Sequence, residues 1–511
     1  MCAFDRSALN HEPNIDEDSA GARARSGKPV WRFRLAAIVI SLLPFAALEA
    51  GLRVFSDPPA VQDGIDHDPL VDLDQLRPLF VLNEASDRWE IPPQRYNFFR
   101  PDSFAAKKAA SVRRVFVLGG STVQGRPYET ETAFSTWLRL RLEAADTNHQ
   151  YEVINCGGVS YASYRVAKIL QEVIGHQADA IVLYTGHNEF LEDRTYAEVR
   201  EMGTARRWAN HVGSKLRTVQ WMRSKGQGMR SKGQASSADT KTQLPTEVNA
   251  RLDRSGGLES YRRDPVWRCG VESHFADKLQ QMVDVAQRAG VPLILCTPAS
   301  DVVNTPPFKS ETLGDLDQPS RETFTVSWNA LNDADQTIER RMELAKKCLQ
   351  IDPNHAGANY VLGRLLLQHG DLEDARRHLL AARDHDVCPL RAPTTILQTV
   401  RRVAATGGVP LVDTVLLLDQ RSVQGKHVAD QIPDPERFVD HLHPSVVGHQ
   451  MIAEAVADQL HRLGWGKRDT RADQAYEAAA REHLSGLGED YFARGKQRLE
   501  GLRRWATGNV K

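Results

Sequence analysis

The run VFVLGGSTVQG, Val115–Gly125, decides how this chain is read. An apolar, β-rich stretch stops abruptly at Gly119 and Gly120, two hydroxyl residues follow (Ser121 and Thr122), and Gly125 closes the turn. A sharp turn of this kind at the tip of a buried strand suits either a phosphate cradle or a serine held out for chemistry. A phosphate loop G-x-x-x-x-G-K-[ST] starting at Gly120 needs lysine and then a hydroxyl after Gly125, to reach the phosphates and a magnesium ion. The chain has Arg126 and Pro127 there, and G-x-G-x-x-G is absent as well, so nucleotide binding falls away. A third role for Ser121, capping the helix that follows, is one serines often fill.

Around that turn the pattern is regular. RVFVL (114–118), YEVINC (151–156), AIVLYT (180–185), VPLILCT (291–297) and VPLVDT (409–414) are short, nearly continuous apolar runs. Such runs fit strands buried on both faces of a parallel sheet. Helical stretches lie between them at 133–145, 163–175 and 275–290. The alternation predicts a three-layer α/β/α sandwich around a central parallel sheet, with right-handed crossovers. Ligands in such sheets bind at the carboxyl ends of the strands. The third strand run ends in YTGHNEF, which puts Asn188 at such an end. A late segment, FVDHLHPSVVGHQ, sets Asp440 three residues before His443, ahead of a final helix. A serine nucleophile needs a base within hydrogen-bond reach and a group orienting that base. Asp-x-x-His on one short turn can present both. No third ligand group accompanies that pair at metal spacing, so neither a metal nor an organic cofactor is expected.

In this the chain resembles the SGNH, or GDSL-like, hydrolase family, over most of its α/β portion. GGST matches the family's first block through its serine, GHNE the third through its asparagine, and DHLH the fifth through its aspartate and histidine. The resemblance implies a flavodoxin-like α/β hydrolase fold in which Ser121 attacks an ester carbonyl, His443 takes and returns the proton, and Asp440 fixes the imidazole. It further implies an oxyanion hole made of the Ser121 N–H, the N–H at Ser160 and the Asn188 amide. The second block, INCGGVSYAS, departs from the pattern: the family's glycine falls nearest Ser160, which leaves Gly157 and Gly158 as alternative donors. GHNE also has Glu189 where many members have aspartate.

Two insertions interrupt the α/β alternation. Residues 203–265 include RSKGQGMRSKGQ, a polar near-repeat expected to be flexible or lid-like. Residues 321–390 are helical, and Leu362, Gly363, Leu366, Ala375, Leu379 and Ala382 follow the tetratricopeptide pattern, with small residues where two antiparallel helices touch. AKKCLQIDPNH (345–355) looks like the end of a preceding repeat. So few repeats do not by themselves imply a binding groove, but a protein partner through them is an open expectation.

The N-terminus suggests an address. Arg23, Arg25, Lys28, Arg32 and Arg34 precede LAAIVISLLPFAALEAGLRVF (35–55), whose apolar length approaches a membrane span. The basic side orients inward. We therefore expect a cytoplasmic segment (1–34), a single-pass signal anchor in the cytoplasmic membrane (35–55), and a juxtamembrane segment (56–110). A catalytic domain outside the cytoplasm would follow in two parts, 111–320 and 391–466, with a helical tail at 467–511. A cleaved signal and a buried helix are the alternatives for 35–55. A cluster of YTGHNEF, PPFKS (306–310) and RRWA (503–506) is similar to membrane-anchored bacterial proteins that join this hydrolase domain to tetratricopeptide helices.

At 511 residues the chain has room for two or three domains. Its 65 basic and 66 acidic residues leave no global surplus for nucleic acid. Six scattered cysteines with no CxxC argue against a zinc knuckle or a disulfide scaffold. Together these features predict a serine esterase acting on O-acyl esters of envelope carbohydrate or of lipid. The alternatives are an O-acyltransferase using the same site, or a tetratricopeptide scaffold whose hydrolase domain is inactive.

Overall fold

A computed structural model describes residues 76–194, 242–333, 335–423, 426–429 and 434–506, with isolated positions at 44, 48, 51, 68, 71 and 72. The expected cytoplasmic segment and anchor (1–34 and 35–55) therefore lie, isolated positions apart, outside the described residues, as does the basic near-repeat at 223–234. Among the described residues no helix is long and apolar enough to cross a membrane.

The five apolar runs are five parallel strands. They are β1 (Val112–Gly119), β2 (Gln150–Gly157), β3 (Ala180–Tyr184), β4 (Leu293–Cys296) and β5 (Leu411–Val412). Their spatial order is 5-4-3-1-2, with Gly119 of β1 in register with both Gly157 of β2 and Tyr184 of β3. Read from the other edge this is the flavodoxin-like order 2-1-3-4-5, whose strand order reverses between β1 and β3. The turn that carries Ser121 leaves the sheet at that reversal.

Side-chain alternation along each strand separates two cores. Phe116 and Leu118 of β1, with Ile181 and Leu183 of β3, face helices α3 (Ser163–Ile174), α4 (Pro265–Arg288) and α9 (Thr394–Gly407). Val115 and Val117, with Val182, face α2 (Phe134–Ala145), α10 (Val446–Arg462) and α11 (Thr470–Gly486). The three-layer expectation is met. The segment read as a helical tail begins inside the fold, because Tyr476 and Ala480 of α11 belong to the second core. The last helix, α12 (Glu489–Ala506), runs across the strand-end rim.

One segment carries structure that its sequence does not announce, and one expectation about an irregular segment needs correction. Residues 81–105 form a three-stranded antiparallel sheet (Val81–Asn83, Arg88–Glu90 and Ser103–Ala105), although these strands are too short to show a period. Phe80 and Phe104 from this region pack edge-on against Phe116 of β1. Residues 244–265, read as the end of a flexible insertion, are packed: Leu244, Ala250, Leu252 and Tyr261 are buried, and the Arg251 N–H donates to the Leu191 carbonyl at 2.7 Å. Their apolar residues are irregularly spaced because each fills a separate gap, so no periodic signal arises.

The tetratricopeptide-like insertion forms two antiparallel helix pairs: α5 (Gln318–Leu331) with α6 (Ile338–Ile351), and α7 (Ala356–His369) with α8 (Leu372–Asp384). A Cβ on Gly363 would lie 2.9 Å from Leu379 Cγ and 3.0 Å from the Leu379 backbone nitrogen. That closeness explains the small residue at the crossing. The second pair docks on the loop after β4: Leu379 packs on Val302 and Val303, and Tyr360 and Arg364 donate to the Val303 carbonyl at 2.9 and 2.6 Å.

Because a backbone atom bounds the Gly363 contact, Gly363→Val should overpack the crossing and destabilise the protein by about 1–3 kcal/mol. Urea unfolding followed by circular dichroism checks this, and an unchanged midpoint would show that the helices can separate at no cost.

Candidate active site

β1 delivers Ser121 by ending where its backbone cannot carry side chains. A Cβ on Gly120 would sit 2.4 Å from Asn188 Nδ2, so glycine lets the amide of Asn188 lie directly over the turn. A Cβ on Gly157 would meet the Gln124 backbone nitrogen at 2.2 Å, so glycine in β2 allows the nucleophile helix α1 (Ser121–Gln124) to press against the sheet. The Ser121 and Thr122 amides head that helix, ahead of its first intrahelical bonds.

The late loop supplies the other half. The Val439 N–H donates to the His443 carbonyl at 2.9 Å, a bridge pairs Phe438 with Pro444, and Ser445 caps α10 by accepting from the Gly448 N–H. Within that closed turn Asp440 Oδ1 accepts from the N–H groups of Leu442 and His443 at 3.0 and 2.8 Å. Asp440 Oδ2 accepts from His443 Nδ1 at 2.7 Å, and His443 Nε2 lies 2.8 Å from Ser121 Oγ. An ionised carboxylate only accepts, so Nδ1 carries the proton and Nε2 is free to accept from the serine hydroxyl. Burial alone would raise the Asp440 carboxyl; His443 and His441 beside it, with the hydrogen bonds it accepts, hold it well below the usual carboxylate range. The three side chains predicted from Ser121, Asp440 and His443 thus form one hydrogen-bonded chain, and the serine is 8% exposed.

Of the expected oxyanion donors, Asn188 lies over the turn that carries Ser121, and the alternatives at Gly157 and Gly158 need correction. The Gly157 N–H donates to Asn155 Oδ1 at 3.0 Å and the Gly158 N–H to the Gly119 carbonyl at 3.0 Å, so neither alternative donor is available. The Val159 N–H is likewise taken, by the Phe98 carbonyl. Among the described residues the Ser160 N–H has no such acceptor. Ser160 stands at φ 62, the left-handed region that favours glycine. Asn188 Nδ2 donates one N–H to the Tyr161 carbonyl at 3.0 Å and keeps a second. Glu189 acts elsewhere, on the neighbouring helix. Its carboxylate accepts from the Ser163 N–H and hydroxyl, both at 2.8 Å, and so anchors the start of α3.

Sequence reasoning missed three buried histidines around this chain. His187 Nδ1 accepts from the Ala392 N–H at 3.2 Å, and His449 Nδ1 accepts from the Phe134 N–H at 3.3 Å. His441, between Asp440 and His443, packs on Phe308. Burial chiefly, with the neighbouring histidines, lowers His187 and His449 to about 3; burial lowers His441 to about 4 against the pull of Asp440. His187 and His441 adjoin residues already singled out, Asn188 and Asp440, and His449 lies in the helix after the Asp440 turn, but a single histidine carries no period. Among the described residues no group of three or more His, Cys, Asp or Glu could hold a metal ion.

Comparison with known proteins gives a family match to the tetratricopeptide repeat over residues 332–387. No curated protein matches. Solved structures similar to this chain include a lipase/acylhydrolase from Enterococcus faecalis, 12% identical, covering 70% of this chain and 99% of its own, with a TM-score of 0.30. A GDSL-like lipase from Bacteroides thetaiotaomicron is 10% identical, covers 70% of this chain and 93% of its own, and has a TM-score of 0.28. An alpha/beta hydrolase from the metagenome of Lake Arreo is 15% identical, covers 69% and 96%, and also has a TM-score of 0.28. Scores this low carry no weight beside the geometry of the site.

The buried histidines give the fold a pH signature. Each takes up a proton more readily unfolded than folded, so stability is complete above about 6.5 and falls as the pH drops towards their folded values. Urea midpoints measured from pH 7 to 4.5 should therefore decline, and His449→Asn, which removes one such proton uptake, should flatten the decline. An equal slope in the variant would remove His449 from this account.

Proposed function

We propose that this protein is a serine esterase of the SGNH type that hydrolyses O-acyl esters through an acyl-serine intermediate. One observation carries the reading: the hydrogen-bonded chain from Ser121 Oγ through His443 to Asp440, with distances of 2.8 and 2.7 Å. In the first half-reaction Ser121 Oγ bonds to the ester carbonyl carbon while His443 Nε2 takes the hydroxyl proton. Collapse of the tetrahedral intermediate breaks the bond to the leaving alcohol, which receives that proton from His443. Water then attacks the acyl-serine with His443 again as base, releasing the acid and restoring the hydroxyl. Asp440 holds the imidazole in the tautomer this needs and balances its positive charge. The Ser121 and Ser160 N–H groups and the free N–H of Asn188 would hold the oxyanion.

The basic cluster followed by an apolar run at 35–55 supports an anchor in the cytoplasmic membrane, with the esterase outside it and acylated carbohydrate or lipid as its substrate. A sugar hydroxyl replacing water in the second half-reaction would make the same site an acyltransferase.

The test is labelling with a fluorophosphonate probe followed by turnover of p-nitrophenyl esters of rising chain length. Wild type should label and turn over, and Ser121→Ala should do neither. Asn188→Ala should keep a remnant, with kcat down by about 10²–10³. Undiminished hydrolysis by folded Ser121→Ala would end the esterase reading.

A further inference from the structure

Three arginines from different segments around the Ser121 turn lie within electrostatic reach of one another, and among the described residues two of them make no hydrogen bond or ion pair through their side chains. Arg126 ends the nucleophile turn, and its N–H donates to the Ser121 carbonyl at 3.2 Å. Arg100 follows the segment whose Phe98 carbonyl accepts from both Val159, next to the oxyanion loop, and Gln124 of the nucleophile helix, each at 2.8 Å. Arg498 lies on α12, which ties the nucleophile loop to the base loop: Tyr491 is bonded to the backbone of Glu129, and Arg503 donates to the Val439 carbonyl beside Asp440.

Among the described residues, neither the Arg100 nor the Arg126 side chain makes a hydrogen bond or ion pair. Arg100 Nε, Arg126 Nε and Arg498 Nη1 are all buried without an acceptor. Among the described residues, the charged groups that act on Arg126 are Arg100 and Arg498. Two carboxylates stand nearby: Glu129 is paired to Arg498, and Glu129 and Glu131 both lie close enough to Arg100 to attract it. Arg494 also reaches Glu129, so among the described residues arginines outnumber carboxylates here, and Arg126 is the one with no carboxylate beside it. A half-buried guanidinium without a carboxylate partner carries a cost, and its planar fork matches the oxygens of a phosphate or carboxylate.

We propose that Arg126, with Arg100 and Arg498, forms an oxyanion subsite on the rim of the Ser121 site, and that the ester hydrolysed there carries a phosphate or carboxylate group. The second clause rests on the esterase reading; the first does not. Consistent with it, burial first, and then Arg100 and Arg498, lower the Arg126 guanidinium to about 10, a cost that a bound anion would relieve.

The experiment has two arms on the full chain. In the first, calorimetry follows inorganic phosphate and succinate binding to Ser121→Ala protein. Binding is expected, weakened about tenfold by adding Arg126→Gln and partly restored by Arg126→Lys. In the second, kcat/KM is compared for p-nitrophenyl hydrogen succinate and p-nitrophenyl butyrate. The anionic ester should be preferred, and that preference should fall about tenfold in Arg126→Gln and again in Arg100→Gln, a change that breaks no ion pair. Absence of phosphate and succinate binding to folded Ser121→Ala would overturn the subsite, whatever the esterase result. Anion binding with neither ester hydrolysed would sink the esterase and leave the subsite standing. Anion binding with no ester preference would mean that the subsite takes a free anion and would overturn the claim about the substrate.

Discussion

Ser121 and His443 stand 322 positions apart in the chain and are joined by one 2.8 Å hydrogen bond. Everything else in the molecule serves to keep those two atoms in register. The 5-4-3-1-2 strand order places β1 inside the sheet, flanked on both sides, so the turn that carries the serine is fixed by neighbours in two directions. The base arrives on a loop outside the sheet, and that loop is closed on itself by Asp440, which accepts from two backbone amides as well as from the imidazole. A carboxylate held that way positions the ring with little freedom.

The tetratricopeptide-like helices bear on the same constraint. They are inserted between β4 and α9, and they grip the loop after β4 at Val302 and Val303. One residue earlier on that loop, the Asp301 N–H donates to the His441 carbonyl at 3.0 Å, inside the base turn. Arg391, just past the helices, donates to the Asp301 carbonyl at 2.9 Å. The inserted pair is therefore braced against the loop that supports His443. A packed contact of that kind ties the position of the helices to that of the base.

The site concentrates groups that are expensive to bury. Four histidines, an ionised carboxylate and a serine hydroxyl share a region with little solvent, and the neutral histidines stay neutral because burial disfavours their charge. Among them the Asp440 carboxylate accepts directly from His443 Nδ1. The arginines around the Ser121 turn extend the concentration of polar groups outward.

The five strands, the helices between them, the helical insertion and the residues Ser121, Asn188, Asp440 and His443 were legible in the sequence. Each is announced by something local: an apolar run, a glycine pair where a side chain cannot fit, or an aspartate and histidine on one turn. The strands at 81–105 and the packed stretch at 244–265 were not, because segments so short or so irregular fill gaps made by other elements and carry no period of their own. Gly157 and Gly158 could not be told from Ser160 as donors, because only the surrounding acceptors decide which amide is left free. The convergence of His187, His441 and His449 on one base, and of Arg100, Arg126 and Arg498 on one rim, was likewise invisible. By itself the sequence determined which residues could do chemistry and on which kind of element each sits, since backbone periodicity and turn sterics act over a few neighbouring positions. Which of them meet, and which polar groups are left without a partner, only the tertiary structure decided, because those distances are set by how the layers pack.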